Sequence, residues 1–148
     1  VSIVGPDFEY MLDTVAKRLD GREGDTKDNE TAVNATSIQV SVTINNHNVL
    51  LCGDCSFTSI EDKVRNYECI QLPHHGKKKQ AEAIWDKKWN QTTDFYFISD
   101  NTGASNGGSD KLNTTGHRVF NTKDTSDIHI TSSSFSSSSV KTGRTLGY

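Results

Sequence analysis

Val49-Leu50-Leu51-Cys52-Gly53-Asp54 and Ile70-Gln71-Leu72-Pro73-His74-His75-Gly76 are two apolar runs, each ending in a short turn that carries metal-binding side chains. An apolar run that stops at Gly-Asp or at Pro-His-His-Gly reads as a buried strand delivering a polar group to the rim of a sheet, where active sites commonly lie. The rest of the chain organises around these two strand ends.

Upstream, Val1 to Val4 predicts a strand entered midway, as in a piece of something longer, and Gly5-Pro6 a turn. Asp7 is then placed to cap a helix from Phe8 to Leu19, completing a βα unit. Phe8, Met11, Leu12, Val15 and Leu19 fall on one face of that helix, the spacing of an amphipathic element. Residues 20–34, rich in Gly, Asp, Lys, Asn and Thr and without periodicity, predict a mobile surface loop or insertion. Ser37 to Ile44 alternates apolar and polar, as a half-buried strand does. Asn45-Asn46-His47-Asn48 is a tight-turn sequence, and Val49 to Cys52 returns as the second arm of a hairpin.

Downstream, Thr58 or Ser59 is placed to cap a short helix through Asn66, and Cys69 to Leu72 predicts a strand. A helix from Gln80 to Trp89 comes next, with Ile84, Trp85 and Trp89 turned inward. Phe95 to Ser99 predicts a buried strand, residues 100–113 a loop, and Arg118 to Phe120 with Ile128 to Thr131 a last pair of strands. This is an α/β pattern over residues 1–131. From Ser132 the chain is a serine run, too poor in apolar surface to offset its ordering entropy, which predicts a flexible tail over 132–148 with no part in catalysis.

Composition sets outer limits. The chain has 148 residues, enough for one domain with a real core. Only 32% of residues are hydrophobic and the mean hydropathy is −0.63, so the chain is loop-rich or lacks part of the body its apolar faces should pack against. A net charge of −3 gives no global basic field, so affinity for nucleic acid rests on a local patch. Lys77-Lys78-Lys79, directly after the histidines, and Lys87-Lys88 form one candidate patch; they read equally as a solvated loop and helix face. No apolar stretch reaches the ~18 residues a membrane span needs and no signal peptide is visible, which predicts a soluble, cytoplasmic chain with no membrane in this segment. Cys52, Cys55 and Cys69 are odd in number and read as reduced thiols.

Asp54, after a glycine and between two elements, can bridge metal ions or cap the next helix. Of the adjacent His74 and His75, one can face a site while the other packs beside it. Cys52-Gly53-Asp54-Cys55 has the Cys-X-X-Cys form, either a redox dithiol, half a zinc site completed by Cys69 and His74, or small buried residues at a strand end. His47, in the expected turn, and His117 and His129, near the late strands, read as ordinary structural or solvated histidines.

Taken in order, Asn34-Ala35-Thr36-Ser37-Ile38-Gln39-Val40, Val49 to Asp54, Ile70 to Gly76 and Phe97-Ile98-Ser99 resemble the second half of metallo-β-lactamase-fold hydrolases. The likeness is to the branch found in the C-terminal domain of ComEC-type competence proteins, with a weaker echo in Val119 to Thr122 and Ile128 to Ile130. The resemblance implies an αββα sandwich of which this chain is only the C-terminal half, so that one face of its sheet would lie exposed. It implies Asp54 as the carboxylate bridging two metal ions, one of His74 and His75 as a metal ligand, and Asp54 and His75 as catalytic residues. Two Zn ions, or Mn, would activate water toward a phosphodiester or similar substrate, single-stranded DNA among them, met by Lys77, Lys78 and Ser99. Two departures stand out. The family's His-X-His-X-Asp-His motif is absent, and the serine after its His-His-Gly is Lys77 here, while Gly107-Gly108-Ser109 stands where the branch carries Gly-His-Pro. Asp54 and one histidine do not hold a catalytic metal pair, so the resemblance implies a hydrolase inactive without its N-terminal half, the expected partner. The alternative is a non-catalytic module of the same fold that binds a partner protein or nucleic acid.

Overall fold

The alternation before Asn45 builds a hairpin. β2 (Gln39–Ile44) returns antiparallel as β3 (His47–Leu51), with Ile44 opposite His47. Only Asn45 and Asn46 make the turn, at φ 46° and 69°, left-handed conformations that Asn tolerates in a two-residue hairpin loop. His47 and Asn48, expected in the turn, therefore open the second strand. The structure is a computed structural model and describes residues 1–22, 26–88, 94–100, 108–136 and 141–142.

The protein is a mixed α/β fold with a mixed sheet. β1 (Ser2–Gly5) pairs antiparallel with β2 through an irregularity between Ile3 and Gly5, and β4 (Cys69–Gln71), β5 (Phe95–Ile98) and β6 (Val119–Asn121) extend the sheet from β3 in parallel. The order is β1-β2-β3-β4-β5-β6. Both expected late strands form, shifted or shortened: β6 joins the main sheet, and β7 (Ile128–His129) pairs with β8 (Lys141–Thr142). Of the loop expected over 100–113, residues 101–107 lie outside the described residues.

Alternation along β3, β4 and β5 divides the core. Leu50, Cys52, Ile70, Leu72, Tyr96 and Ile98 point to one face, under Ile60, Val64, Ala81, Ile84 and Trp85. Ile84 and Trp85 are the inward residues foreseen for the second helix, which runs over Lys78–Lys87 as α4 after the single turn α3 (Pro73–Gly76). Trp89 lies outside the described residues. Between β3 and β4 the expected helix is replaced by 3-10 turns at Phe57–Ser59 and Val64–Asn66. Neither Thr58 nor Ser59 caps a helix; the Ser59 hydroxyl pairs with Ser56 instead, at 3.1 Å.

The opposite face carries Val49, Cys69 and Phe95, with Val42, Ile44, Leu51, Phe97 and Phe120 half-buried around them. The expectation of a bare sheet face is corrected here, because the chain's own C-terminal segment lies on it through Ile128, Ile130 and Phe135. The serine run, foreseen as a free tail, begins as structure: Ser133–Ser136 forms the short helix α6, which follows α5 (Thr122–Thr125), and Ser134 is buried. Phe135 stacks on the His47 ring at 4.3 Å and packs on Phe95 at 5.2 Å. One aromatic anchor supplies the burial that serine lacks. Of the rest of the tail, residues 137–140 and 143–148 lie outside the described residues.

The segment foreseen as a mobile loop also holds structure, a 3-10 turn at Lys27–Asn29 and the helix α2 (Ala32–Ala35), capped by Thr31. Residues 23–25 are outside the described set. α1 (Phe8–Leu19) has the predicted bounds and cap, Asp7 accepting from Tyr10 N at 3.1 Å, but its orientation is reversed. Its one buried residue is Thr14, whereas Phe8, Leu12, Val15 and Leu19 are 62, 48, 46 and 83% exposed. No helix among the described residues is long and apolar enough to cross a membrane.

If Phe135 anchors the C-terminal segment, Phe135→Ala should lower the unfolding free energy by roughly 1–3 kcal/mol, less than a fully buried phenylalanine because the ring is half-exposed. Urea denaturation followed by circular dichroism measures it, and an unchanged midpoint would show that the segment is not held.

Candidate functional site

Three neighbouring parallel strands end at one level. β3 runs into Gly53-Asp54, β4 into Pro73-His74-His75 and β5 into Ser99, so their side chains meet at the carboxyl edge of the sheet, the usual location of sites in such sheets. The ends are laced together. Gln71 Oε1 accepts from Cys52 N at 3.1 Å and Gly53 N at 3.4 Å, His74 N donates to Gly53 O at 3.1 Å, and Asp54 N donates to Ser37 Oγ at 3.2 Å. Gly53 has φ 56°, and a Cβ there would stand 3.1 Å from that of Ser37, so glycine lets the chain turn this closely.

His75 and Asp54 converge. His75 Nδ1 lies 2.7 Å from the Ser99 carbonyl oxygen, which can only accept, so Nδ1 carries a proton and Nε2 is the ring atom left to face outward. That Nε2 faces Asp54 Oδ1 at 3.8 Å, too far for a hydrogen bond, and both side chains are about a third exposed. A ring nitrogen and a carboxylate oxygen thus face each other. Their separation is close to the about 3.4 Å between two donors on one tetrahedral metal ion, and a carbonyl on Nδ1 is the usual orienting contact of a metal-binding histidine. Among the described residues no group of three or more His, Cys, Asp or Glu comes together to hold a metal ion. The donor set fits one edge of a metal site and does not complete it.

His74 turns the other way. Its Nδ1 is 3.4 Å from Glu30 Oε2 and 3.5 Å from Asn34 Nδ2. The two rings diverge without the alternation of an extended strand, since both residues have left-handed backbones, φ 52° and 54°, followed by Gly76 at 76°. Such a conformation costs a non-glycine residue roughly 1–2 kcal/mol, and strain of this kind collects at functional sites. Gly76 is needed for space as well, since a Cβ there would meet Ile98 Cδ1 at 2.7 Å.

Glu30 holds this turn in place. It is 5% exposed and accepts from Lys77 Nζ at 2.8 Å, Gln80 Nε2 at 3.1 Å and Asn34 Nδ2 at 3.4 Å. Burial alone would raise its carboxyl pKa; the hydrogen bonds from Lys77 and Asn34 and the charges of Lys77 and His74 outweigh that and hold it below its ordinary value. Lys77, foreseen as a substrate contact, is thus engaged with Glu30. Lys88, half of the second lysine pair, is buried against Asp94 at 3.0 Å and donates to the Val64 and Tyr67 carbonyls. Lys78 and Lys79 remain exposed at the start of α4, Lys78 3.8 Å from Glu82, and Ser99 is exposed at the end of β5.

The thiols form no site. Cys52 and Cys55 lie in one half of the core and Cys69 in the other, across the sheet, so they do not share a cation. All are free and buried; burial pushes the Cys52 and Cys69 thiols well up, which keeps them protonated. Of the other histidines, His47 stacks on Phe135, His117 stacks on Trp85 at 3.9 Å with burial lowering its pKa, and His129 is exposed. Comparison with protein-family models, curated proteins and solved structures returns no match.

Two measurements test the roles of Glu30 and His75. Glu30 has a lowered folded pKa, so its contribution to stability is complete above the ordinary glutamate value of about 4.3 and disappears as pH falls through the lowered one. Glu30→Gln should therefore lose stability at neutral pH and flatten the fall in stability on acidification from about pH 5; an unchanged acid limb would remove Glu30 from this role. His75→Gly relieves a left-handed residue, so the variant should be as stable as the parent or up to about 1 kcal/mol more so, and a clear loss in urea would show that the ring is kept for packing.

Proposed function

We propose that this chain is the C-terminal half of a metallo-β-lactamase-fold, metal-dependent hydrolase, and that Asp54 and His75 are its two contributions to a metal centre. What carries the reading is His75 Nε2 facing the Asp54 carboxylate at 3.8 Å, with Nδ1 tied to a backbone carbonyl. The order of the strand ends, and strain held at the histidine turn itself, add support. The remaining donors come from a complementary half not among these residues, and without it the chain has no hydrolytic activity. A bound Zn²⁺ or Mn²⁺ would supply a hydroxide at neutral pH for attack on a phosphodiester. This chain's residues orient one edge of the centre. Ser99 fixes the His75 ring through its carbonyl, His74 and Lys77 serve the buried Glu30 scaffold, and Lys78 and Lys79 offer cationic charge to substrate phosphates, single-stranded DNA among them.

The incomplete donor set favours a second reading, a non-catalytic module of the same fold that binds a partner protein or nucleic acid. Zinc titration by calorimetry separates them. On the hydrolase reading the chain binds Zn²⁺ weakly, Asp54→Ala and His75→Ala each weaken binding at least about tenfold, and His74→Ala leaves it largely intact. Binding indifferent to Asp54 and His75, or no binding at millimolar zinc, overturns it.

A further inference from the structure

The aim of the His75 ring depends on its acceptor. The side chain is 37% exposed, so packing leaves the ring room to turn, and the bond from Nδ1 to the Ser99 carbonyl at 2.7 Å sets its direction. That carbonyl belongs to the Ser99–Asp100 peptide, a rigid plane in which the Asp100 N–H points opposite to the Ser99 C=O. Whatever holds the N–H therefore holds the carbonyl.

The strand ladder stops short of it. The register between β5 and β6 closes with Ile98 opposite Asn121, one residue before this peptide. Thr122, the residue that follows β6, continues the ladder with its side chain. Its hydroxyl accepts from Asp100 N at 3.0 Å and donates to Asp100 O at 3.2 Å, a pairing that uses its proton and one of its two lone pairs. Asp100 is secured through its side chain as well. It is 2% exposed, and its carboxylate accepts from Ser109 N at 3.1 Å and Ser109 Oγ at 2.7 Å, while Ser109 Oγ accepts from Asn121 Nδ2 at 2.7 Å. A buried carboxylate is costly to pull from such donors, so the residue that carries the N–H does not drift. One peptide plane is thus pinned between the end of β6 and the His75 ring.

We infer that Thr122 is a positioning residue, its hydroxyl setting the plane of the Ser99–Asp100 peptide and through it the ring of His75, with Asp100 and Ser109 as its backing. The clamp serves the proposed metal centre, so the inference rests on that reading for its purpose and on the hydrogen bonds for its existence.

The proton on the His75 ring reports the clamp directly. In two-bond proton–nitrogen correlation spectra at about pH 9, above the ordinary imidazole value of about 6.5, His75 of the parent chain should carry its proton on Nδ1, the resonance being assigned by its loss in His75→Gln. Thr122→Val, close in shape but without the hydroxyl, should move the ring toward the mixed tautomers of a solvated imidazole and weaken Zn²⁺ binding roughly three- to tenfold, while Thr122→Ser should keep the parent's values of both. A merely structural threonine would change the urea midpoint and leave the tautomer where it was. Ser109→Ala, which removes one bond to the Asp100 carboxylate, should shift the tautomer the same way by less, and it carries the test if Thr122→Val does not fold. The parent's tautomer or zinc affinity in folded Thr122→Val, the parent's tautomer in Ser109→Ala where Thr122→Val does not fold, or a shift that Thr122→Ser shares would overturn the inference and leave the metal reading standing. A tautomer that moves as expected in a chain that binds no Zn²⁺ upholds the clamp and removes the metal reading.

Discussion

The parallel register of β3, β4 and β5 is the constraint on which the rest depends. Leu50, Ile70 and Tyr96 lie side by side, so two residues later Cys52, Leu72 and Ile98 close the core at one height, and the next residues of all three strands emerge on one rim. A shift of any of these strands by one residue would turn its apolar set to the wrong face. Burial thus sets the common level of the strand ends, and with it brings Asp54, His75 and Ser99 within reach of one another. The hydrogen bonds between the ends then fix the rim that burial has levelled.

What burial does not supply is the direction of the histidine rings. That comes from contacts on either side of the turn, the Ser99 carbonyl accepting from His75 and the Asn34 amide and Glu30 carboxylate lying against His74. Glu30 comes from a segment more than forty residues away and reaches α4 through Lys77 and Gln80, while Gln80 also accepts from Phe57 N, in the segment that follows Asp54. One buried carboxylate therefore joins both sides of the rim. Such a charge is tolerated in the interior because each oxygen has partners.

Much of this was legible in the sequence. Strands and hairpin follow from alternation, α1 from its cap and periodicity, and the site from two apolar runs that stop at chemically unusual turns. The orientation of α1 was not legible, because periodicity reveals that a helix has two faces and not which of them the body will take. Nor was Glu30, a lone acid in a stretch without periodicity whose partners are distant in sequence. Gln71 left a trace, a polar residue inside Ile70-Gln71-Leu72, the one position in that run able to hold the neighbouring turn. The serine run misled through composition: a single Phe135 among serines is lost in an average, yet it finds His47 and Phe95.

The two outer strands of the sheet have a consequence for behaviour in concentrated solution. β1 is four residues long, irregular between Ile3 and Gly5 and followed at once by a proline, while β6 is three residues long and passes directly into α5. Neither offers a long flat row of backbone groups on which a foreign strand could template. Fibrillar stacking through the sheet margins is discouraged by construction, even for a chain that leaves apolar side chains in water elsewhere.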